Sequence, residues 1–152
     1  MIYAGVAVAL MARMRARKPP QSHDVTVIAD AQETVGGLVK YVCEAGLQTR
    51  GSRTLDVLEL VEATRLAVVL FPDAFEPPDV VAMIRAIRTL RGDLLLVVVT
   101  EDVSRFYDVS GPSGRSTVPL RLPKPAFGWA ILDAVRAHAA GGGRGGGGTC
   151  RA

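Results

Sequence analysis

From Val25 onward, short apolar runs alternate with segments whose apolar residues recur every three or four positions. VTVIA (Val25–Ala29) has strand length and stops at Asp30. ETVGGLVKYVCEAG follows, with Val35, Leu38, Val39 and Val42 on one helical face and Gly46 as the stop. LQTR predicts a weak strand. TLDVLELVEATR predicts a helix with Thr54 as its N-cap and Leu55, Leu58 and Val61 in register. LAVVLF (Leu66–Phe71) is apolar throughout, which suits a strand covered on both faces. In PPDVVAMIRAIRTLRG, Val80, Met83, Ile84, Ile87 and Leu90 form an apolar stripe ended by Gly92. Arg85, Arg88 and Arg91 line its other side, a solvated face or a surface for an acidic partner. DLLLVVV (Asp93–Val99) is the most apolar run and ends at Thr100. EDVSRFYDVSGPSGRST carries Gly111-Pro112 and Gly114 and predicts at most a short helix, then a loop. VPLRL (Val118–Leu122) is a fifth strand. FGWAILDAVRAHA is a last helix with Phe127, Ile131, Ala134, Val135 and His138 at helical spacing.

Five strands separated by helices predict a doubly wound α/β domain with a parallel sheet, because each crossover returns on the same side with right-handed sense. The most apolar runs belong at its centre. Ligands of such sheets collect at the carboxyl ends of the strands, where the strand order reverses. In this chain those ends carry Asp30, Pro72-Asp73, Thr100 and Pro123-Lys124-Pro125.

A length of 152 residues fits one domain, and 49% hydrophobic with 22% charged residues is ordinary globular composition. The net charge of +3 is unevenly placed. Residues 1–22 hold Arg13, Arg15, Arg17 and Lys18 and no acid, and residues 141–152 hold Arg144 and Arg151 and no acid. Between His23 and Ala140 stand 12 bases against 15 acids, a net of −3 that argues against a nucleic-acid-binding body. The domain is therefore expected over 23–140, between a disordered extension (1–22) and a flexible glycine-rich tail (141–152). In MIYAGVAVALMARMRARKPP the apolar run precedes the positive charges, the reverse of a signal peptide, and ten apolar residues do not span a bilayer. An unfolded start, with Met11 or Met14 as other initiators, is the simpler reading than a membrane-surface anchor. Cys43 in a helical pattern and Cys150 in the tail make neither a disulfide framework nor a metal spacing. Cys43 is expected to be core or semi-buried. His23 is expected at the disordered edge and His138 at a helix end. Neither has an acid or cysteine at a spacing suited to a triad or a metal. ADAQETVGG lacks the glycine spacing of a phosphate loop.

Asp30 after the first strand, an Asp after the third, Thr100 after the fourth and Lys124-Pro125 after the fifth together resemble the response-regulator receiver family. EPPDVVAMIRAIR and LPKPAFGWAILDAVRAH are similar to that family's third-helix and fifth-helix segments. The resemblance covers nearly all of His23–Ala140. It implies a flavodoxin-like sheet of order 2-1-3-4-5 with helices on both faces, and a cis peptide bond before Pro125. It implies a site in which carboxylates hold Mg²⁺, an Asp receives a phosphoryl group, Lys neutralises the developing charge, and the Thr hydroxyl bonds to the phosphate and draws its loop inward. It further implies a bacterial cytoplasmic signalling role with a histidine kinase or effector as partner, homodimerisation as an option, no enzymatic turnover, and no cofactor beyond Mg²⁺.

Four departures modify that picture. The family has an acid pair after the first strand, where this chain has Ala29-Asp30. Asp30 is thus either a lone Mg²⁺ ligand or a cap on the helix beginning near Glu33. Aligned from the third helix, the acceptor position falls on Pro72, with Asp73 one residue late. Strand periodicity of two would then turn the Asp73 carboxylate to the wrong face unless a local loop adjustment redirects it. Asp73 is thus a phosphoacceptor and Mg²⁺ ligand candidate, or a solvated Asp opening a loop. Arg121 stands where the family has a mobile aromatic, and the fourth-helix region is weak. Lys124 is expected at the pocket in either case, as a partner for Asp30 or Asp73, and Thr100 is expected there because strand ends in this architecture face it. The sequence thus predicts a receiver-like module, degenerate at its phosphorylation site, that signals by protein–protein contact. The alternatives are a working receiver phosphorylated on Asp73, and a flavodoxin-type domain that binds a small ligand or acts as an enzyme at the same strand ends.

Overall fold

The computed structural model describes residues 21–104, 106 and 119–142. In chain order the elements are β1 (His23–Ile28), α1 (Gln32–Glu44), β2 (Thr49–Ser52), α2 (Leu58–Glu62), β3 (Thr64–Leu70), α3 (Pro77–Leu90), β4 (Leu95–Thr100), β5 (Leu120–Pro123) and α4 (Gly128–Gly142). The five strands form one parallel sheet of order β2-β1-β3-β4-β5. Of the two strands read as central, β3 is the middle strand and β4 lies beside it, and all six residues of β4 are buried. The expectation of a short helix between Thr100 and Val118 falls mostly on residues outside the described ones, since only 101–104 and 106 of that segment are described, and most of the terminal segments, 1–20 and 143–152, lie outside them too.

Alternation along each strand divides the core into two layers, because successive side chains leave a strand on opposite faces. Ile28, Val68, Leu70, Leu96 and Val98 meet α2 and α3 through Val61, Val80, Ile84 and Ile87. Val25, Val27, Val69, Val97 and Val99 meet α1 and α4 through Leu38, Val42, Ile131 and Val135. Aliphatic runs without alternating polarity are the sequence signature of strands covered on both sides.

Three expectations are corrected. Thr54 does not cap a helix. Its N–H donates to Ser52 Oγ (3.1 Å), and that hydroxyl donates back to Thr54 O (3.0 Å). This local turn consumes the capping groups, and α2 starts only at Leu58 with no side-chain cap. Local bonds of this kind compete with helix initiation. His23 is not at a disordered edge. It opens β1 with 2% exposure, pairs with Thr64 of β3, and its Nε2 lies 2.5 Å from Thr26 Oγ1. Cys43 is exposed, on the outer side of α1 near its end. Of the arginine row, Arg91 is more than a solvated side chain. It pairs with Asp93 (3.0 Å) and donates through Nη1 to Glu62 O (2.7 Å), which fastens the end of α2 to the α3–β4 turn.

Candidate functional site

β3 leaves the ladder at Leu70, although Phe71 N still donates to Ile28 O (2.9 Å). Pro72 is buried and accepts a turn bond from Phe75 N (3.0 Å). Asp73 therefore lies within a turn, beyond the strand whose period would have fixed its direction. The turn is a local loop adjustment of the kind the sequence left open: it directs Asp73 toward the ends of β4 and β5.

Those ends are themselves held together, since Lys124 N donates to Thr100 O (3.1 Å) and the Lys124–Pro125 peptide is cis. Thr100 is 1% exposed and its hydroxyl donates to Asp73 Oδ1 at 2.6 Å. The backbone N–H of Glu101 donates to Oδ2 at 2.8 Å, and Lys124 Nζ lies 3.2 Å from the same oxygen. The Asp73 side chain is 14% exposed and that of Lys124 35%. Burial works against ionisation of Asp73, but the Thr100 hydroxyl, the Glu101 N–H and the Lys124 ammonium outweigh it and hold its pKa below the usual 3.8.

Asp30 does not join this cluster by any hydrogen bond or ion pair among the described contacts. It is exposed, and it does not cap α1, whose N-cap is Ala31 without a side-chain bond. Its carbonyl accepts from Arg53 Nε (2.8 Å), which places a guanidinium beside the end of β1. Ala29 is buried at 2% and supplies no second carboxylate. Among the described residues no group of three or more His, Cys, Asp or Glu could hold a metal ion. The residues after β1 therefore fit Mg²⁺ poorly: one exposed carboxylate, with a fixed cation next to it.

The turn beyond Thr100 is ordered by its own side chains. Asp102 Oδ1 accepts from Ser104 N (3.0 Å) and Ser104 Oγ (2.6 Å), and Arg121 Nη1 donates to Val103 O (3.0 Å). Sequence reasoning placed Asp73, Thr100 and Lys124 but missed Glu101 and Arg53. Glu101 acts through a backbone N–H that no residue type announces. Arg53 acts through a contact between the ends of two parallel strands.

A groove of about 320 Å³ runs between α1 and α4, lined by Glu33, Gly37, Tyr41, Phe71, Gly128 and Ile131. It lies beside the strand ends, and its lining does not include Asp73, Thr100 or Lys124. Among the described residues no helix is long and apolar enough to cross a membrane.

No protein-family model matches the chain, and no curated protein matches it. Solved structures do. A response regulator receiver protein from Sinorhizobium medicae WSM419 superposes with a TM-score of 0.64 at 15% identity, covering 78% of this chain and 95% of that one. The BeF₃-activated DrrB receiver domain gives 0.60 at 16%, covering 79% and 99%. A CheY-like receiver domain protein from Methanospirillum hungatei JF-1 gives 0.60 at 14%, covering 80% and 96%. The chain has the flavodoxin-like fold of response-regulator receiver domains.

Proposed function

We propose that this chain is a receiver-type signalling module in a two-component-type pathway, acting by protein–protein contact, with a phosphorylation site that has kept its switch half and lost most of its metal half. The observation that carries this reading is the contrast between the two halves. The Asp73 carboxylate lies 2.6 Å from the Thr100 hydroxyl and 3.2 Å from Lys124 Nζ, whereas the end of β1 offers Asp30 alone beside Arg53. Phosphoryl transfer to a carboxylate leans on a divalent cation to neutralise the developing charge. A single exposed carboxylate holds Mg²⁺ weakly, so Lys124 is left as the main counter-charge. The role is one of binding, with a histidine kinase or a downstream effector as the partner class.

The test is incubation of the full chain with Mg²⁺ and acetyl phosphate, followed by intact-mass measurement. The expected result is no added phosphoryl mass. An adduct that disappears in Asp73→Asn would instead establish the second reading, a working receiver phosphorylated on Asp73. That reading draws on the same proximity of Asp73, Thr100 and Lys124.

A further inference from the structure

Thr100, Glu101 and Lys124 present a hydroxyl, a backbone N–H and an ammonium to one small volume at the ends of β4 and β5. Donors of these kinds converging on one point make an oxyanion site, and each bond to an ionised acceptor is stronger than its neutral counterpart. Here the oxyanion comes from the chain. Oδ1 of Asp73 takes the hydroxyl and Oδ2 takes the N–H and the ammonium. We infer that Asp73 is a built-in ligand of this site: its carboxylate supplies the negative charge that a bound or transferred anion would otherwise bring, and so holds the turn after β4 closed with no covalent modification.

The inference rests on the receiver-type reading and specifies how the site is regulated. Its reach extends past the carboxylate. Glu101 N–H begins the turn in which Asp102 binds Ser104, and the carbonyl of Val103 in that turn accepts from Arg121 on β5. A continuous run of bonds thus links the charge of Asp73 to the edge strand. At 1% exposure Thr100 has little access to water, and the Asp102 carbonyl, 3.4 Å from its hydroxyl, is a longer and weaker acceptor than Asp73 Oδ1 at 2.6 Å. The closed turn is therefore the resting state. A partner that recognises it needs no prior phosphorylation event, and a modification of Asp73 must first break the bonds that the carboxylate already makes.

The experiment is amide hydrogen exchange at Glu101–Ser104 in the full chain, comparing the unsubstituted protein with Asp73→Ala and Thr100→Val. Asp73→Ala is expected to speed exchange of the Glu101 amide by about tenfold or more, the scale of a lost charge-assisted bond. Acetate or inorganic phosphate at tens of millimolar is expected to restore protection in Asp73→Ala and to leave the unsubstituted protein unchanged. Thr100→Val, which keeps the branched shape and loses the hydroxyl, is expected to lose part of the protection and to recover little of it with anion. Exchange unchanged in Asp73→Ala overturns the inference. Exchange that rises but answers to neither anion overturns it as well, since the three donors then do not form an anion site. Melting curves of both variants identify any general loss of fold. The outcome is separable from that of the acetyl phosphate experiment, which asks whether the unsubstituted protein takes up a phosphoryl group at all.

Discussion

His23 shows how much a single buried side chain specifies. Thr64 donates its hydroxyl to Leu60 O (2.6 Å), so it must accept from Thr26, 2.7 Å away. Thr26 in turn must accept from His23, which assigns the neutral imidazole a proton on Nε2. Burial lowers the His23 pKa below 6.5. The carbonyl of Gln21 and the charge of Asp24 oppose that shift, and Arg50 and Arg65 reinforce it. A histidine whose folded pKa lies below its unfolded value binds fewer protons folded than unfolded. Stability is therefore complete above pH 6.5 and declines as pH falls from there through the folded pKa. The melting temperature is expected to drop over that window, and His23→Gln is expected to flatten the drop. Thr26→Val, which removes the hydroxyl between His23 and Thr64 and leaves them only their longer contact of 3.2 Å, is expected to cost about 1–3 kcal/mol at neutral pH in urea titrations.

At the scale of elements, β2 is the least legible strand. TRGS has no apolar alternation, and its pattern of burial is intermediate and exposed. Gly51 explains its composition. A Cβ there would land on Val35 Cγ1 and 3.1 Å from Val39 Cγ2, so α1 packs directly on the strand backbone. Gly51→Ala is expected to destabilise the fold by about 1–3 kcal/mol through overpacking, read as a lower urea midpoint with an unchanged slope. The central strands, by contrast, were readable because burial on both faces writes itself as an uninterrupted aliphatic run. The length of α2 was not readable, because the bonds between Ser52 and Thr54 compete with a helix start in a way that propensity does not register. In the site, the side chains Asp73, Thr100 and Lys124 could be named from their places at strand ends. The direction of Asp73 could not, because it depends on a turn around Pro72 and not on strand period.

At the scale of the molecule, two carboxylates among the described residues, both outside the hydrophobic layers, hold their charge against protonation. Asp73 does so for the reasons given. Asp93, whose side chain is 64% exposed, does so chiefly through the hydrogen bonds from Arg91, with the charge of His138 adding to the effect, so solvent screening leaves its share smaller than that of Asp73. Both pKa values lie below 3.8 in the folded state. Each contributes stability that is fully present above about pH 4 and is lost as pH falls through the folded value. Acid unfolding followed by circular dichroism is expected to show a steep limb below pH 4, and Asp73→Asn and Asp93→Asn are each expected to make it shallower. The fold class was legible at this scale because order and spacing of elements repeat along the chain. The segment between β4 and β5 was not, since glycine and proline there remove the periodicity on which such reading depends.

One surface feature has an optical consequence. Trp129 is the single tryptophan of the chain, 59% exposed and stacked on Phe127 with ring centroids 6.2 Å apart. It sits at the start of α4, next to Gly128 in the lining of the groove beside α1. Its emission is expected to be that of a solvated indole at one known location. A molecule that extends from the α1–α4 groove over Trp129 strips water from that ring and is expected to shift its spectrum to the blue, so the protein carries an intrinsic fluorophore that reports such binding without a label.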